Sequence, residues 1–360
     1  MSTEQDFRTL IKKQIEEELI YGCVVMAGNR KKDFLLEAYG TADRVTQKRM
    51  DVDSIFDLAS ITKPVGCATL AVICQENGLL NLDHPFTNYL PKHRAFFEQP
   101  PTIRQLGAHI SGIDYDRPYD RFQAAGGEKL VDAFYDLAPV AQPGRNFVYS
   151  CSNYLLLGLI VESVSGLPLQ TLAKEKIFQP LGMSDTEWGM PRPDQMQRVV
   201  RAHLVTTHGT VALENLSEEL LCYRKNDCLP SDETAQGALP HRVGNAGLFS
   251  TASDLARFAR MMLEETPHIF NTQTRNELFR CCTPPSLHRR SFGWDMELID
   301  GFSEATIHHS GWSGQGLWID PENDCFFIML TNRNSTKYDE CKLMRRETAR
   351  AMNKFLVKHC

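Results

Sequence analysis

Apolar residues stand at helical spacing near both ends of the chain. Every fourth residue from Phe7 to Leu19 is apolar, and the residues between them are mostly charged or polar. This spacing predicts an amphipathic helix on the protein surface. A second amphipathic helix is predicted over 338–357, where apolar and charged positions again alternate at helical spacing.

Short β-rich runs also lie near both ends. The runs 22–28 and 33–40 flank the polar turn 29–32, which predicts a hairpin. Towards the other end, four runs separated by turns are predicted to be strands: 292–298, 306–311, 316–320 and 325–332. Strands at both ends with helices between them favour an α+β fold, in which one antiparallel sheet is built from both termini and carries an all-helical insertion.

The middle of the chain is predicted to be mostly helical. Residues 65–76 are apolar at helical spacing, and the strongly apolar segment 154–165 stops at Gly166. Two further helices are predicted, over 102–112 and from Thr251 or Ser253 to about residue 263. The least regular stretch, 190–243, is predicted to be a loop with short elements.

The order of these elements predicts two domains. A discontinuous α/β sheet domain would comprise residues 1–58 and 288–360, and a mostly helical domain would comprise residues 59–287. The helix 65–76 would then start at the junction of the two domains, where functional sites are common.

The composition is that of an ordinary globular protein. The chain has 360 residues, a net charge of -6 and no long basic run, so it lacks the electrostatic footprint of a nucleic-acid binder. Its longest apolar run, 154–161, is too short to cross a bilayer. The first twenty residues are too charged for a signal peptide. These features predict a cytoplasmic protein without a membrane span.

The 11 cysteines are scattered without a repeating spacing. An odd count of this kind predicts reduced thiols rather than a disulfide framework. The doublets Cys281-Cys282 and His308-His309 are candidate metal ligands, but no C-x-x-C or H-E-x-x-H spacing accompanies them. We expect neither a metal nor a cofactor.

The candidate chemistry lies in the stretch 56–64, FDLASITKP. Ser60 and Lys63 are three residues apart at a helix start, which puts hydroxyl and ammonium on one face with about 5 to 6 Å between Cβ atoms. A serine hydroxyl needs a base, and a lysine can be that base if burial or nearby cations lower its pKa. On its own the tetrapeptide favours a plainer interpretation, a helix cap followed by a surface lysine.

Nine stretches in order along the chain reverse that preference, because together they resemble the serine β-lactamase and penicillin-binding-protein superfamily. The resemblance is to its class C-like branch, which includes esterases and D-amino-acid peptidases. The stretches are FDLASITKP, ENGLLNLDHP, NYLP, TIRQLGAHISGI, QPGRNFVYSCSNYLLLGLIVE, FQPLGM, GNAGLFSTASDLARF, HHSGWSGQGLWIDPE and LTNR. This likeness implies a β-lactamase/transpeptidase-like fold and a serine hydrolase that works through an acyl-enzyme.

The resemblance also implies roles for four side chains. Ser60 would be the nucleophile, Lys63 its base partner, and Tyr149 the group that carries a proton between Ser60 and the leaving group. Because the pKa of tyrosine is near 10, Lys63 and a charged His309 would both be needed nearby to favour a phenolate. Without the resemblance, Tyr149 would be interpreted as a buried tyrosine with a satisfied hydroxyl, and His309 as a strand histidine facing solvent.

The third element of the family matches His309-Ser310-Gly311. By resemblance, Gly311 would let a substrate lie close against this strand. The backbone N–H groups of Ser60 and Trp312 would form the oxyanion hole, which commonly contributes most to acyl transfer.

The sequence departs from the family pattern at Cys151, where relatives usually carry an asparagine two residues after the tyrosine. A thiol is a weak donor and a weak acceptor, so amide and β-lactam hydrolysis are disfavoured relative to ester hydrolysis. Asn153, two positions further on, is a candidate replacement for the missing amide. His109 is predicted to be structural.

Three functions follow from these residues. The first is a hydrolase of small esters or D-amino-acid-type amides; the second is a true class C β-lactamase or DD-carboxypeptidase. The third is a catalytically weak scaffold or polymer-forming protein. The partner would be a small-molecule ester, amide or β-lactam rather than a nucleic acid, and the sequence leaves the oligomeric state open.

Overall fold

An antiparallel sheet built from both ends of the chain confirms the predicted architecture. The computed structural model describes residues 3–44, 46–113, 126–201, 228–333, 337–357 and 359. Within these residues, six strands form a sheet in the order β3-β2-β1-β9-β8-β7. Its strands are β1 (Ile20–Gly28), β2 (Asp33–Asp43), β3 (Lys48–Arg49), β7 (Ile307–Ser310), β8 (Gly316–Asp320) and β9 (Cys325–Arg333).

A second, smaller sheet leads the chain into the candidate nucleophile. It has the order β4-β6-β5, with β4 (Phe56–Asp57), β5 (Glu187–Trp188) and β6 (Leu248–Ser250). The predicted boundary after residue 58 separates β4 from its partner β6, and the division into two domains stays a prediction.

The helices fall on both faces of the large sheet. The α-helices are α1 (Thr3–Glu16), α2 (Thr69–Glu76), α3 (Ile103–Gly107), α4 (Gly127–Ala133), α5 (Cys151–Ser165), α6 (Leu169–Ala173), α7 (Glu233–Gly237), α8 (Ala252–Leu263), α9 (Thr272–Phe279) and α10 (Tyr338–Leu356). Shorter 3₁₀ turns span Ala59–Ile61, Phe86–Asn88, Phe134–Asp136 and Met196–Arg198, and π-helical turns span Lys63–Ala68 and Lys174–Phe178.

The alternation of side chains along the strands creates two apolar layers. On one face, Val25 and its neighbours of the same parity pack against α1 and α10, through residues such as Phe7 and Phe355. On the other face, Val24 and Met26 join the main core with α8 and the central helices. Burial of these apolar faces holds the terminal helices and the helical middle on opposite sides of the sheet.

Local sequence signals set several helix ends as predicted. The Thr102 hydroxyl accepts a hydrogen bond from the Gln105 N–H at the start of α3, and Thr251 caps α8 through the Asp254 N–H. At the end of α5, Gly166 takes the left-handed conformation with φ of 69°. Helix α3 is shorter than predicted, because His109 adopts a positive φ of 59° and turns the chain away.

The predicted strand 292–298 is wrong. Only isolated bridges involve this segment, between Arg290 and Asp295 and between Asp295 and His308. The chain turns at Gly293, where an added Cβ would lie 2.7 Å from Ala68 Cβ, so the segment packs closely against the helical turn after Lys63. Residues 202–227 of the predicted loop 190–243 lie outside the described residues.

No single helix in the described ranges combines the length and hydropathy needed to cross a bilayer. Helix α5 and the segment Leu169–Phe178 meet these two criteria only as a pair, and the pair is bent by 76°.

Candidate active site

A strained turn presents Ser60 at the end of β4. Ala59 has a positive φ of 45°, a conformation that costs free energy for any residue with a Cβ. The Asp57 carboxylate stabilises the turn, since the Ala59 N–H donates to its Oδ1 at 3.0 Å. The Ser231 N–H holds the other oxygen of this carboxylate at 2.8 Å. The turn therefore fixes Ser60 at the entrance of a helical segment.

Lys63 is buried directly beneath Ser60. Its side chain is 0% exposed, and its Nζ donates to Ser60 Oγ at 2.9 Å and to the Asn245 carbonyl oxygen at 2.8 Å. Pro64 follows in the first turn, where no intrahelical N–H is needed. The plainer interpretation, in which Lys63 lies on the surface, is therefore wrong. The predicted contact between Ser60 and Lys63 is present.

Tyr149 lies beside Ser60 and Lys63, in the segment that precedes α5. Its hydroxyl interacts with both Ser60 and Lys63, and Lys63 Nζ lies 5.2 Å from the centre of the Tyr149 ring. The His109 ring lies 4.4 Å from the Tyr149 ring, and His109 Nδ1 accepts the Ser150 N–H at 3.1 Å. His109 thus supports the backbone beside Tyr149, in line with the predicted structural role.

Both titratable partners of Ser60 hold their protons at neutral pH. Burial alone would lower the pKa of Lys63, but electrostatic interactions with Cys151, Tyr149 and Asp232 outweigh it and raise this pKa. The phenol of Tyr149 lies deep among protein atoms although part of the ring faces the cavity. This desolvation raises the pKa of Tyr149, with Lys63 opposing the effect. The lowered lysine pKa that the sequence argument required is not found.

His309 is neutral rather than charged, which corrects the sequence prediction. The side chain is 3% exposed, and burial together with the positive charges of Arg290 and Lys63 holds its pKa well below the usual range. Its Nδ1–H donates to the Ser310 carbonyl oxygen at 3.0 Å. His309 therefore supplies no charge to Tyr149 near neutral pH.

Arg290 supplies a second permanent cation beside Lys63. It is 2% exposed, its guanidinium lies 6.0 Å from the Tyr149 ring centre, and its Nη1 donates to Asp295 at 3.1 Å. Sequence reasoning missed Arg290 because it stands in a segment without a motif, far along the chain from Ser60. The missed Asn245 acts through its backbone carbonyl, which no side-chain pattern could indicate.

The end of β7 lies against the Ser60 turn. An added Cβ on Gly311 would come within 2.6 Å of the Leu58 carbonyl oxygen, so only glycine allows this approach. In the described part of the chain, the N–H groups of Ser60 and Trp312 have no protein acceptor. The structure thus brings the two predicted donors to one region, and their role as an oxyanion hole stays a prediction.

The two candidate replacements for the family's asparagine differ in position. Cys151 lines the cavity next to Ser60 and Tyr149. Asn153 is 1% exposed, accepts the Ser111 hydroxyl at 2.5 Å and contacts His109 Nδ1 at 3.3 Å. The prediction that Asn153 reaches the substrate is therefore wrong, because its amide is used inside the helical layer.

A cavity of about 530 Å³ opens above Ser60. Tyr149, His309, Ser310 and Trp312 all line it, so it joins the segments that sequence reasoning singled out. Phe147 and Trp318, which stand in two of the family-like stretches, also line it. Its wall further carries acidic and basic side chains that the motifs did not indicate: Asp232, Glu233, Asp295, Glu297, Arg290, Lys342, Arg345 and Arg346. A cavity of this size fits a small organic substrate.

Three cavity residues have ligand atoms close enough to hold a metal ion. Oxygen and nitrogen atoms of His288, Asp295 and Glu297 lie within 4.8 Å of one another. Asp295 already pairs with Arg290, and Glu297 with Arg346. Because arginines already compensate these carboxylates, the geometry gives no reason to add a metal, and its predicted absence stays a prediction.

The chain is similar along most of its length to an esterase and to a putative carboxypeptidase. It is 30% identical over 364 residues to Esterase EstB of Burkholderia gladioli, covering 88% of this chain and 87% of that protein. It is 28% identical over 312 residues to a putative D-alanyl-D-alanine carboxypeptidase of Escherichia coli K12, covering 78% of this chain and 69% of that protein.

Fold similarity extends over nearly the whole molecule. The solved structure of EstCE1, a hydrolase with promiscuous acyltransferase activity, superposes with a TM-score of 0.76 at 22% identity, covering 97% of this chain and 98% of that one. Residues 7–350 also match the model of the family described as Beta-lactamase. The fold predicted from the nine stretches is confirmed.

Proposed function

The chain belongs to the beta-lactamase family of serine hydrolases, and from that premise we propose that it hydrolyses small carboxylic esters through an acyl-enzyme on Ser60. The observation that carries the proposal is the 2.9 Å contact between Lys63 Nζ and Ser60 Oγ beside the 530 Å³ cavity. The esterase relative from Burkholderia gladioli supports the ester class.

Acylation uses Ser60, its two partners and the two backbone donors. Ser60 Oγ forms a bond to the ester carbonyl carbon and gives its proton to the Tyr149–Lys63 pair, which must first have lost one proton. The carbonyl oxygen becomes negative and accepts hydrogen bonds from the N–H groups of Ser60 and Trp312. The bond to the alcohol then breaks as the pair returns the proton to the leaving oxygen.

Deacylation repeats these steps with water in place of the alcohol. Water gives a proton to the Tyr149–Lys63 pair and attacks the acyl carbon, and Ser60 Oγ leaves with that proton. The ammonium of Lys63 and the guanidinium of Arg290 favour the negative form of Tyr149 during both proton transfers.

The thiol of Cys151 favours esters over amides. An alkoxide leaves a tetrahedral intermediate more readily than an amide nitrogen, which needs protonation and exact placement. A side-chain amide at position 151 would position an amide substrate, whereas a thiol hydrogen-bonds weakly. The carboxypeptidase relative keeps amides as the second candidate class.

We also propose a small molecule as the partner and the cytoplasm as the location. The cavity is too small for a folded macromolecule and suits a small ester. The odd number of cysteines without a repeating spacing is typical of a reducing compartment.

A panel of chromogenic substrates tests the proposal. Purified wild-type protein should hydrolyse short-chain p-nitrophenyl esters with a kcat/KM at least about a hundredfold above that for the β-lactam nitrocefin, a ratio that corresponds to a difference of about 2.7 kcal/mol in transition-state stabilisation. Rapid and complete nitrocefin turnover would instead favour the β-lactamase alternative. Inertness towards both substrates would favour the scaffold alternative.

Replacing Cys151 with asparagine should shift this preference towards amides. We expect the ratio of nitrocefin to ester kcat/KM to rise by about two- to tenfold, since a well-placed hydrogen bond contributes about 0.5–1.5 kcal/mol. Cys151→Ser serves as the matched control, because it keeps the size of the side chain and adds no amide. An unchanged ratio in Cys151→Asn would show that residue 151 does not set the preference.

A further inference from the structure

The two segments that carry the candidate oxyanion donors are joined by the side chain of Gln315. This glutamine is 1% exposed, and its Nε2 donates to the Asp57 carbonyl oxygen at 2.9 Å, three residues before Ser60. The Ser313 hydroxyl donates to the same oxygen at 3.0 Å. The turn after Gly311 is therefore hydrogen-bonded to the strand that delivers the nucleophile.

Gln315 also ties this turn to β9. Its Nε2 donates to the Thr331 carbonyl oxygen at 3.1 Å, and its Oε1 accepts the Thr331 N–H at 2.7 Å. The Thr331 hydroxyl in turn donates to the Gly314 carbonyl oxygen at 3.2 Å. One buried amide thus links three segments, and the spacing between the Ser60 and Trp312 backbones depends on it.

Arg333, two residues further along β9, holds Trp312 from the other side. Its guanidinium is 4.2 Å from the Trp312 ring centre and 4.9 Å from the Tyr338 ring centre, so it lies between the two aromatic rings. Its Nε also donates to the Trp312 carbonyl oxygen. The residue is 2% exposed, and this contact fixes the backbone around Trp312 as well as the ring.

The geometry points to a role for both side chains in catalysis. We propose that Gln315 and Arg333 are positioning residues that hold the Trp312 N–H at the distance and angle at which it stabilises the oxyanion together with the Ser60 N–H. This inference rests on the proposed esterase function. It also gives a structural role to the stretch LTNR, residues 330–333, through Thr331 and Arg333. Because donors act only about 2.7–3.1 Å from the developing oxyanion, a small displacement of the turn weakens the stabilisation.

The test compares Gln315→Leu with a matched buried glutamine elsewhere. Gln14 is also 1% exposed, and its Nε2 donates to Thr348 Oγ1 at 2.9 Å and to the Leu10 carbonyl oxygen at 3.3 Å, between α1 and α10. Gln14→Leu removes comparable hydrogen bonds on the opposite face of the sheet. Both variants should lower the thermal midpoint, but only Gln315→Leu should lower kcat.

We expect Gln315→Leu to lower kcat for a p-nitrophenyl ester by about tenfold to a hundredfold with little change in KM, since loss of one oxyanion donor costs about 10²–10³ in kcat. The affinity of phenylboronic acid should fall by a similar factor. Boron bonds to Ser60 Oγ in this probe, and one oxygen of the tetrahedral adduct occupies the oxyanion position. Gln14→Leu should leave both quantities at the wild-type level.

Variants of Arg333 test the same proposal independently, and they remain informative if Gln315→Leu fails to fold. Arg333→Met removes the charge between the rings of Trp312 and Tyr338 and the hydrogen bond to Trp312, so it should lower kcat and phenylboronate affinity together. Arg333→Lys keeps a cation between the rings and should recover part of both.

Two results separate failure of this inference from failure of the proposed function. Unchanged kcat and phenylboronate affinity in folded Gln315→Leu and Arg333→Met would overturn the positioning role, and wild-type ester hydrolysis would still support the esterase. Wild-type protein that neither hydrolyses esters nor binds phenylboronic acid would overturn both.

Discussion

Replacing Ser60 with alanine is expected to abolish ester hydrolysis, with kcat lowered by about 10⁴-fold or more, as is typical when a catalytic serine is removed. The reason is that Ser60 Oγ, which accepts a hydrogen bond from Lys63 Nζ and lies beside Tyr149, is the proposed nucleophile. The fold should remain intact, because alanine fits the 3₁₀ turn Ala59–Ile61 and Ser60 is only half-buried.

Intact-protein mass spectrometry after brief exposure to a fluorophosphonate checks this expectation. Wild-type protein should gain one adduct that maps to the peptide containing Ser60, and Ser60→Ala should gain none. Ser163→Ala is a matched control, since this serine lies on α5 and its hydroxyl donates to the Tyr89 carbonyl oxygen at 2.9 Å. Labelling of a different residue in wild-type protein would overturn the assignment of the nucleophile.

Replacing Lys63 with methionine is expected to lower kcat/KM by about 10²–10⁴-fold, the usual contribution of a positioned acid–base group. Methionine has a similar length and fills the buried site, but it cannot donate to Ser60 Oγ or to the Asn245 carbonyl oxygen. Among the described residues Lys63 forms no salt bridge, so Lys63→Met leaves no carboxylate partner buried and unpaired. The variant should therefore fold, which circular dichroism and thermal unfolding would verify.

The pH dependence of the wild-type enzyme is the companion measurement. The pKa values of Lys63 and Tyr149 are both raised, so at neutral pH the pair holds both protons. Below these pKa values, the fraction of the pair that can accept the Ser60 proton falls tenfold for each unit that the pH falls. We expect log kcat/KM to rise with a slope near one between about pH 6 and 8, reporting the free enzyme.

The neutral state of His309 makes the pH profile a clear test of the Tyr149–Lys63 pair. The pKa of His309 lies well below 6.5, so it stays neutral over this range and adds no inflection. A profile with an inflection near pH 6.5 would contradict the neutral state of His309. A flat profile would contradict the raised pKa of the Tyr149–Lys63 pair, and Lys63→Met should weaken the pH dependence if the pair is the base.

The sequence by itself determined the features that arise within a few residues. Helical spacing placed Ser60 and Lys63 on one face, because residues three apart on a helix are neighbours whatever packs around them. Thr102, Thr251 and Gly166 marked helix ends for the same reason, since caps form between adjacent turns. β-rich runs bounded by turns at both ends predicted the shared sheet.

The protonation states of His309 and Lys63 could be determined only from the tertiary structure. The sequence alone suggested that His309, beside the proposed active site, is charged. Burial and the positive charge of Arg290 lower its pKa and keep it neutral. Lys63 reads as a base, yet Tyr149, Cys151 and Asp232 converge from distant segments and keep it protonated. Desolvation and Coulomb interactions depend on which groups meet in space, and chain spacing does not encode that.

Position within the fold also decided which polar side chains reach the cavity. Cys151 and Asn153 are two residues apart on α5. Cys151 lines the cavity, whereas the side chain of Asn153 is hydrogen-bonded to Ser111 and His109. Gln315 stands in the stretch HHSGWSGQGLWIDPE, but nothing in the sequence indicated that its side chain links the nucleophile turn to β9. Local hydrogen bonds and residue spacing therefore determined most helices and strands and the Ser60–Lys63 pair. Long-range packing determined the protonation states and hydrogen-bond partners of the site residues, because desolvation and Coulomb energies depend on burial and distance in three dimensions.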